Sequence, residues 1–173
     1  FFGNRDFLLE KSISNTPRAL FFNQNFKPAY FIHIVRNGYA VTEGIMRKAT
    51  VMPGNPFAQQ GKYPIEVCAH QWRRSLEVVD EVKNGLTKFI EIRYEDLTDK
   101  PEETIRTITG FLGLEDLDAG MFSKEFTVHQ KTEAIKNMNK RSVERLSNDE
   151  INCINRVAGE YLRRYGYYYE VTE

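Results

Sequence analysis

The chain has 173 residues, 41% of them hydrophobic and 13% aromatic, which suits one domain with a packed core and excludes disorder as the main state. Lys+Arg and Asp+Glu both number 24, so the formal net charge is zero; a general nucleic-acid or acidic-membrane coat is excluded, while a local basic pocket is not. Two cysteines, Cys68 and Cys153, are too few for a disulfide scaffold and lack metal-ligand spacing, and no apolar run approaches the ~18 residues of a membrane helix.

Residues 1–10 (FFGNRDFLLE) carry charges and no cleavage pattern, so no signal peptide is read there. The first residue is not Met, as in a processed or trimmed chain. Phe7-Leu8-Leu9, ending at Glu10-Lys11, reads as a strand end. NTPRALFFNQNF opens as a helix, with Asn15 or Thr16 as N-cap, Pro17 in the first turn, and Phe21 and Phe22 toward the core. Residues 29–35 (AYFIHIV) are almost continuously apolar and predict a strand buried on both faces, followed by Asn37-Gly38 and a helix from about Tyr39 to Ala49. The loop VMPGNPFAQQGKYP holds three of the six prolines and is long enough for a binding loop or lid.

Ile65, Cys68, Trp72, Leu76 and Val79 recur at helical steps, and Gly85 stops that helix. KFIEIRYEDL alternates as a strand. Pro101 starts a helix with Ile105, Ile108, Phe111 and Leu112 on one face and Gly113 as its stop. Ser147-Asn148-Asp149-Glu150 is a capping box heading a helix through Ile151, Ile154, Val157, Ala158, Tyr161, Leu162 and Tyr165. Helical crossovers between strands predict an α/β fold, a parallel sheet flanked by helices, in a single domain over 1–173.

Ligands of open α/β sheets collect beyond the carboxyl ends of the strands. Lys11, Arg36 and Tyr94-Glu95-Asp96 fall there. Arg36 either grips a phosphate, reinforced by free amides at the following helix N-terminus, or pairs with a local carboxylate. Lys11 either stabilises a transferring anion or is a solvated lysine beside Glu10. Tyr94 either stacks on a base or simply packs. The stretch 131–145 holds Lys131, Lys136, Lys140, Arg141 and Arg145, and is either a mobile anion-closing segment or a solvated loop. His33 reads as a satisfied core histidine and Trp72 as core; His70 and His129 have no spaced partner for a metal.

The strings EKSISNTPRALFFNQNFKPAYFIHIVRNGYAVTEGIMRKAT, HQWRRSLEVVDEVKNGLTKFIEIRYEDLTDKPEETIRTITGFLGL and LSNDEINCINRVAGEYLRRYGY together resemble the sulfotransferase family that uses 3′-phosphoadenosine-5′-phosphosulfate (PAPS), over about residues 8–168. The spacing around Arg36 is most similar to the protein-tyrosine and bacterial branch. The resemblance implies a P-loop-like three-layer α/β/α fold and transfer of a sulfuryl group to a hydroxyl or amine acceptor, with no metal. It implies that Arg36 binds the 3′-phosphate of PAPS and that Gly44 stands where the family has a serine ligand. A backbone amide or Thr42 would then substitute for the missing hydroxyl. Arg47 or Lys48 matches a further basic ligand, and Tyr94 in YEDL a tyrosine beside the adenine. Lys136 matches the lysine of an Ile-Lys-x-x-Asn segment that reaches the cofactor, with Lys140 and Arg141 behind it; Lys11 matches a lysine near the transferring group.

The chain departs from that pattern in lacking a Gly/Ser/Thr-rich phosphosulfate loop, and PGNPFAQQGKY has the wrong spacing for a P-loop. The loop's place in the family is upstream of Lys11, so the domain is expected to be incomplete at its N-terminus. Ile13 occupies the position of the cytosolic branch's histidine base, so no base is named. With no cysteine beside EKS and no anchor, the expected compartment is the cytoplasm, the Golgi lumen being the alternative. The rival readings are a P-loop-class kinase and a non-catalytic binding module that has kept the fold, to which Gly44 lends support.

Overall fold

The computed structural model describes residues 8–114, 126–128, 131–133 and 136–171. Phe7, His129 and Ile135 lie outside the described residues. Residues Ile13–Arg18 form a 3₁₀ turn containing Pro17, which runs into α1 (Ala19–Asn25). Strand β1 (Phe31–Val35) leads to α2 (Gly38–Lys48), and the proline-bearing loop connects it to α3 (Ile65–Val82). Strand β2 (Phe89–Arg93) passes directly into α4 (Tyr94–Asp99) and then α5 (Pro101–Leu112). A short hairpin of β3 (Phe126–Val128) and β4 (Lys131–Glu133) precedes α6 (Asn139–Val143) and α7 (Asn148–Arg164).

Strands β1 and β2 are parallel, with Phe31 opposite Phe89 and Val35 opposite Arg93. The two helices between them make the crossover that parallel pairing requires. The expected parallel sheet flanked by helices is therefore present. The core lies on one face, where Val35, Tyr39, Ala69, Trp72, Leu76, Ile154, Ala158 and Leu162 from β1, α2, α3 and α7 pack together. Burying each of the larger aliphatic side chains contributes about 1.5–3 kcal/mol. Gly38 allows the close approach of α2 to this core: a β-carbon there would lie 2.8 Å from the Trp72 ring and 2.9 Å from Leu162.

Local capping sets the helix ends. Asn37 Oδ1 accepts from the Ala40 amide at the head of α2. At α7, Ser147 Oγ accepts from Glu150 N and Glu150 Oε2 accepts from Ser147 N, the reciprocal box expected from the sequence. Pro101 opens α5, and Gly113 closes it at φ +70°, a backbone conformation that other residues adopt only with strain.

Some expectations are corrected. Leu8 and Leu9 are exposed and form no strand. Phe21 is 58% exposed because α1 docks through other residues: Asn23 bonds the Gly85 carbonyl and the Thr87 amide, and Leu20 lies over Gly85. Strand β1 is not buried on both faces, since Ile34 is half exposed. His33 is not core; it is half-buried and its Nδ1 lies 3.0 Å from Glu91, its cross-strand partner. The stretch 131–145 is not a plain loop, because β4 and α6 fall within it.

Candidate functional site

In-register parallel pairing places Val35 beside Arg93, so the next residues, Arg36 and Tyr94, leave the sheet together at its carboxyl edge. The Arg36 guanidinium lies over the Tyr94 ring, 4.3 Å from its centroid. Its Nε donates to Asn139 Oδ1 at 2.8 Å. Arg36 forms no ion pair with a carboxylate among the described residues, and its two terminal nitrogens make no hydrogen bond there. The side chain is thus aimed by a neutral amide and an aromatic face and keeps its charge.

The head of α4 holds residues 136–139 against the sheet edge. Tyr94 Oη donates to the Lys136 carbonyl at 3.1 Å and accepts from Met138 N at 3.3 Å. Asn139 Nδ2 donates to Glu95 Oε1 at 2.5 Å, and Asn137 Nδ2 donates to Asp99 at 3.4 Å. The structure therefore brings Arg36, Tyr94, the Lys136 carbonyl and Asn139 into one cluster, with Arg36 and Asn139 103 positions apart in sequence. Asn139 heads α6, so Lys140 and Arg141 follow beside the cluster; both are exposed, and Lys140 approaches Glu144 at 3.9 Å.

Glu95 changes the expected electrostatics of the helix N-terminus. Its Oε1 accepts from the Asn37 amide at 3.1 Å, and its Oε2 accepts from Tyr167 Oη at 2.6 Å. The Asn37 and Ala40 amides are thus satisfied from within the chain and are not free for an anion. Burial first, and then the hydrogen bond to and charge of Glu95, push the Tyr167 phenol well above its ordinary value.

Gly44 lies six residues into α2, and among the described residues nothing beyond its own stretch of helix backbone lies within 4 Å of the place a β-carbon would take. That open space would accept the serine the family has there. Thr42 does not substitute for it: the residue is fully buried and its hydroxyl donates to the Gly38 carbonyl at 2.6 Å. Arg47 is partly engaged, its Nε donating to Glu43 at 2.8 Å, and Arg145 reaches the same carboxylate at 3.3 Å. Burial alone would raise the Glu43 carboxyl, but hydrogen bonds from Arg47, Arg145 and Ser142 outweigh it and hold the group below its ordinary value. Lys48 is exposed at the far end of α2. Lys11 is exposed as well, and no hydrogen bond or ion pair joins it to the Arg36 cluster among the described residues.

Sequence reading missed Glu43, Asn139 and Tyr167 as organisers of the site. Asn139 closes the Ile-Lys-x-x-Asn segment, in which the resemblance gives a role to the lysine alone. A polar groove of about 340 Å³ lies between β2, α4 and α5. It mixes Arg93 and Lys100 with Glu91, Asp96 and Glu103, contains neither Arg36 nor Tyr94, and offers no single-sign site. Among the described residues no group of His, Cys, Asp and Glu could hold a metal ion, and no helix is long and apolar enough to cross a membrane.

A family model described as the sulfotransferase family matches residues 3–118. Arg36, Gly44 and Tyr94 fall within the match, whereas Lys136 and Asn139 lie beyond it. No curated protein matches the chain. Among solved structures, the chain is similar to a sulfotransferase domain from the curacin biosynthetic pathway, with a TM-score of 0.61 and 19% sequence identity. The likeness covers 96% of this chain and 64% of that one, so the chain spans less than two thirds of its neighbour's length. The neighbour's fold agrees with the three-layer P-loop-like arrangement, and the family match extends over more than half of the sequence: the chain belongs to the sulfotransferase family.

Proposed function

We propose that residues 1–173 are a single sulfotransferase domain, incomplete at its N-terminus, that takes PAPS as donor and passes its sulfuryl group to a hydroxyl or amine acceptor. The observation that carries this reading is Arg36: a half-buried guanidinium at the sheet's carboxyl edge that has, among the described residues, neither a carboxylate partner nor a hydrogen bond at its terminal nitrogens. Such a group offers two parallel charge-assisted hydrogen bonds to a phosphate. The open space at Gly44 fits the same reading, since a side chain reaching from there toward a neighbouring phosphate would have room at its first carbon.

In this reading Arg36 binds the 3′-phosphate, and Tyr94 offers an aromatic surface to the adenine. Lys136, Lys140 and Arg141 add positive charge beside it, with Arg47 and Lys48 further along α2. PAPS supplies an activated sulfuryl group whose departure leaves 3′-phosphoadenosine 5′-phosphate. The acceptor forms a new bond to sulfur, the sulfur–oxygen bond to the 5′-phosphate breaks, and the acceptor's proton passes to a base. Cationic donors directed at the sulfuryl oxygens and the departing phosphate lower the barrier, and Lys11 is assigned that task. The donor's 5′-phosphosulfate needs a glycine-rich loop, which the 173 residues lack; in this reading that loop has its place upstream of Lys11, as in the family pattern.

The testing experiment is titration calorimetry of the chain with 3′-phosphoadenosine 5′-phosphate, run beside ADP with Mg²⁺. Saturable binding of the bisphosphate and none of Mg·ADP supports the assignment. The reverse preference supports a kinase and overturns it. A binding module without turnover is the second reading, favoured by Gly44 where the family has serine. It is distinguished by sulfuryl transfer in the chain extended upstream.

A further inference from the structure

Arg36 is connected to the rest of the protein through an arrangement that the family resemblance does not explain. Asn139 stands between a cation and an anion: its Oδ1 accepts from Arg36 Nε at 2.8 Å, and its Nδ2 donates to Glu95 at 2.5 Å. A guanidinium only donates and a carboxylate only accepts, so these two neighbours fix which end of the amide points where. Glu95 is itself held at both oxygens, by the Asn37 amide and the Asn139 amide on Oε1 and by the Tyr167 hydroxyl on Oε2. The Asn139 backbone is fixed as well, its amide donating to Asn137 Oδ1 at 3.0 Å.

A carboxylate in the place of Asn139 would still accept from Arg36 but would neutralise it, and would face the Glu95 carboxylate without a donor. An amide orients it without doing so, and passes the anchoring charge one step back to Glu95. We propose that Asn139, backed by Glu95, is a positioning residue that aims the Arg36 guanidinium while preserving its charge and its two terminal nitrogens for a phosphate. This rests on the function proposed above in its choice of ligand, though not in the geometry of the relay.

Two measurements on the full chain test it. The first needs no ligand: the Arg36 Nε–H resonance, assigned by its disappearance in Arg36→Lys, is followed for exchange with water. Asn139→Ala is expected to speed that exchange at least about tenfold, since it removes the acceptor. Unchanged exchange overturns the relay, whatever the protein binds. The second compares 3′-phosphoadenosine 5′-phosphate with AMP, which lacks the 3′-phosphate. Asn139→Asp is expected to weaken the bisphosphate at least about tenfold while leaving AMP within about twofold, because only the 3′-phosphate meets the neutralised guanidinium. A merely structural role would weaken both ligands alike, and that result overturns the proposal. Failure of the wild-type chain to bind the bisphosphate would overturn the functional reading instead, and the exchange experiment would still decide the relay.

Discussion

Two arginines in this molecule are used in opposite ways. Arg164, near the end of α7, is spent on structure: its terminal nitrogens meet Asp80 of α3 at 2.5 and 3.0 Å, and Tyr161 and Lys83 bond the same carboxylate. Arg36 has a neutral amide and a ring face as its partners and no carboxylate among the described residues. The first arrangement neutralises a cation to dock two helices. The second holds a cation in place with no carboxylate in direct contact among the described residues, and an oriented charge of that kind at a strand end marks a binding site better than the mere presence of an arginine.

The largest expected contrast comes from deleting each arginine in turn. Arg36→Ala is expected to leave thermal stability almost unchanged and to weaken 3′-phosphoadenosine 5′-phosphate by about thirtyfold, equivalent to ~2 kcal/mol for a charge-assisted pair. Arg164→Ala is expected to do the opposite, lowering the melting temperature with affinity retained. Paired calorimetry and thermal melts read both; equal effects of the two variants on affinity would erase the distinction.

Gly38 lies where the two regions meet, one residue from the cap of α2 and against the Trp72 and Leu162 core. Gly38→Ala is expected to destabilise by about 1–3 kcal/mol through overpacking. Denaturant unfolding measures this, and an unchanged midpoint would contradict the close packing.

The pH dependence of the α3–α7 seam gives a smaller effect. The Arg164 guanidinium holds the Asp80 carboxyl well below its ordinary value; burial opposes this, and Lys83 and Tyr161 reinforce it. A carboxyl lowered on folding contributes stability that is present above the unfolded-state value, about 4, and is lost as pH falls through the lowered folded-state value. Asp80→Asn is therefore expected to lower the melting temperature at neutral pH by a few degrees, about 1 kcal/mol for a partly exposed network. It is also expected to flatten the loss of stability below about pH 4. Parallel acid-side slopes in variant and wild type would contradict the assignment. The smallest change expected is a gain: Gly44→Ser enters open space and adds a hydroxyl beside the proposed phosphate site, tightening the bisphosphate by about threefold to tenfold. Unaltered affinity in a folded variant would place the phosphate elsewhere.

What the sequence discloses of this protein follows the range of the interactions concerned. The capping box at Ser147, the Pro101–Gly113 limits of α5 and the apolar face of α3 depend on neighbours within a few residues, and their positions agree with the structure. The meeting of Arg36 with Tyr94 was legible because parallel strands align their ends. Phe21 departs from the expectation because α1 is anchored by Asn23 to residues 62 and 64 positions away, which no helical period reveals. The bond between Asn139 and Glu95, 44 positions apart, is hidden for the same reason. The Ile-Lys-x-x-Asn spacing marks the asparagine but not its task, which arises only when the fold sets it between two opposite charges.

The most direct measurement pairs the ligand's 3′-phosphate with Arg36 in a cycle, using 3′-phosphoadenosine 5′-phosphate and AMP against the wild type and Arg36→Ala. The wild type is expected to prefer the bisphosphate by about thirtyfold or more, and the variant to bind the two nucleotides almost equally. An undiminished preference in the variant would show that Arg36 does not hold the 3′-phosphate and would contradict the site assignment.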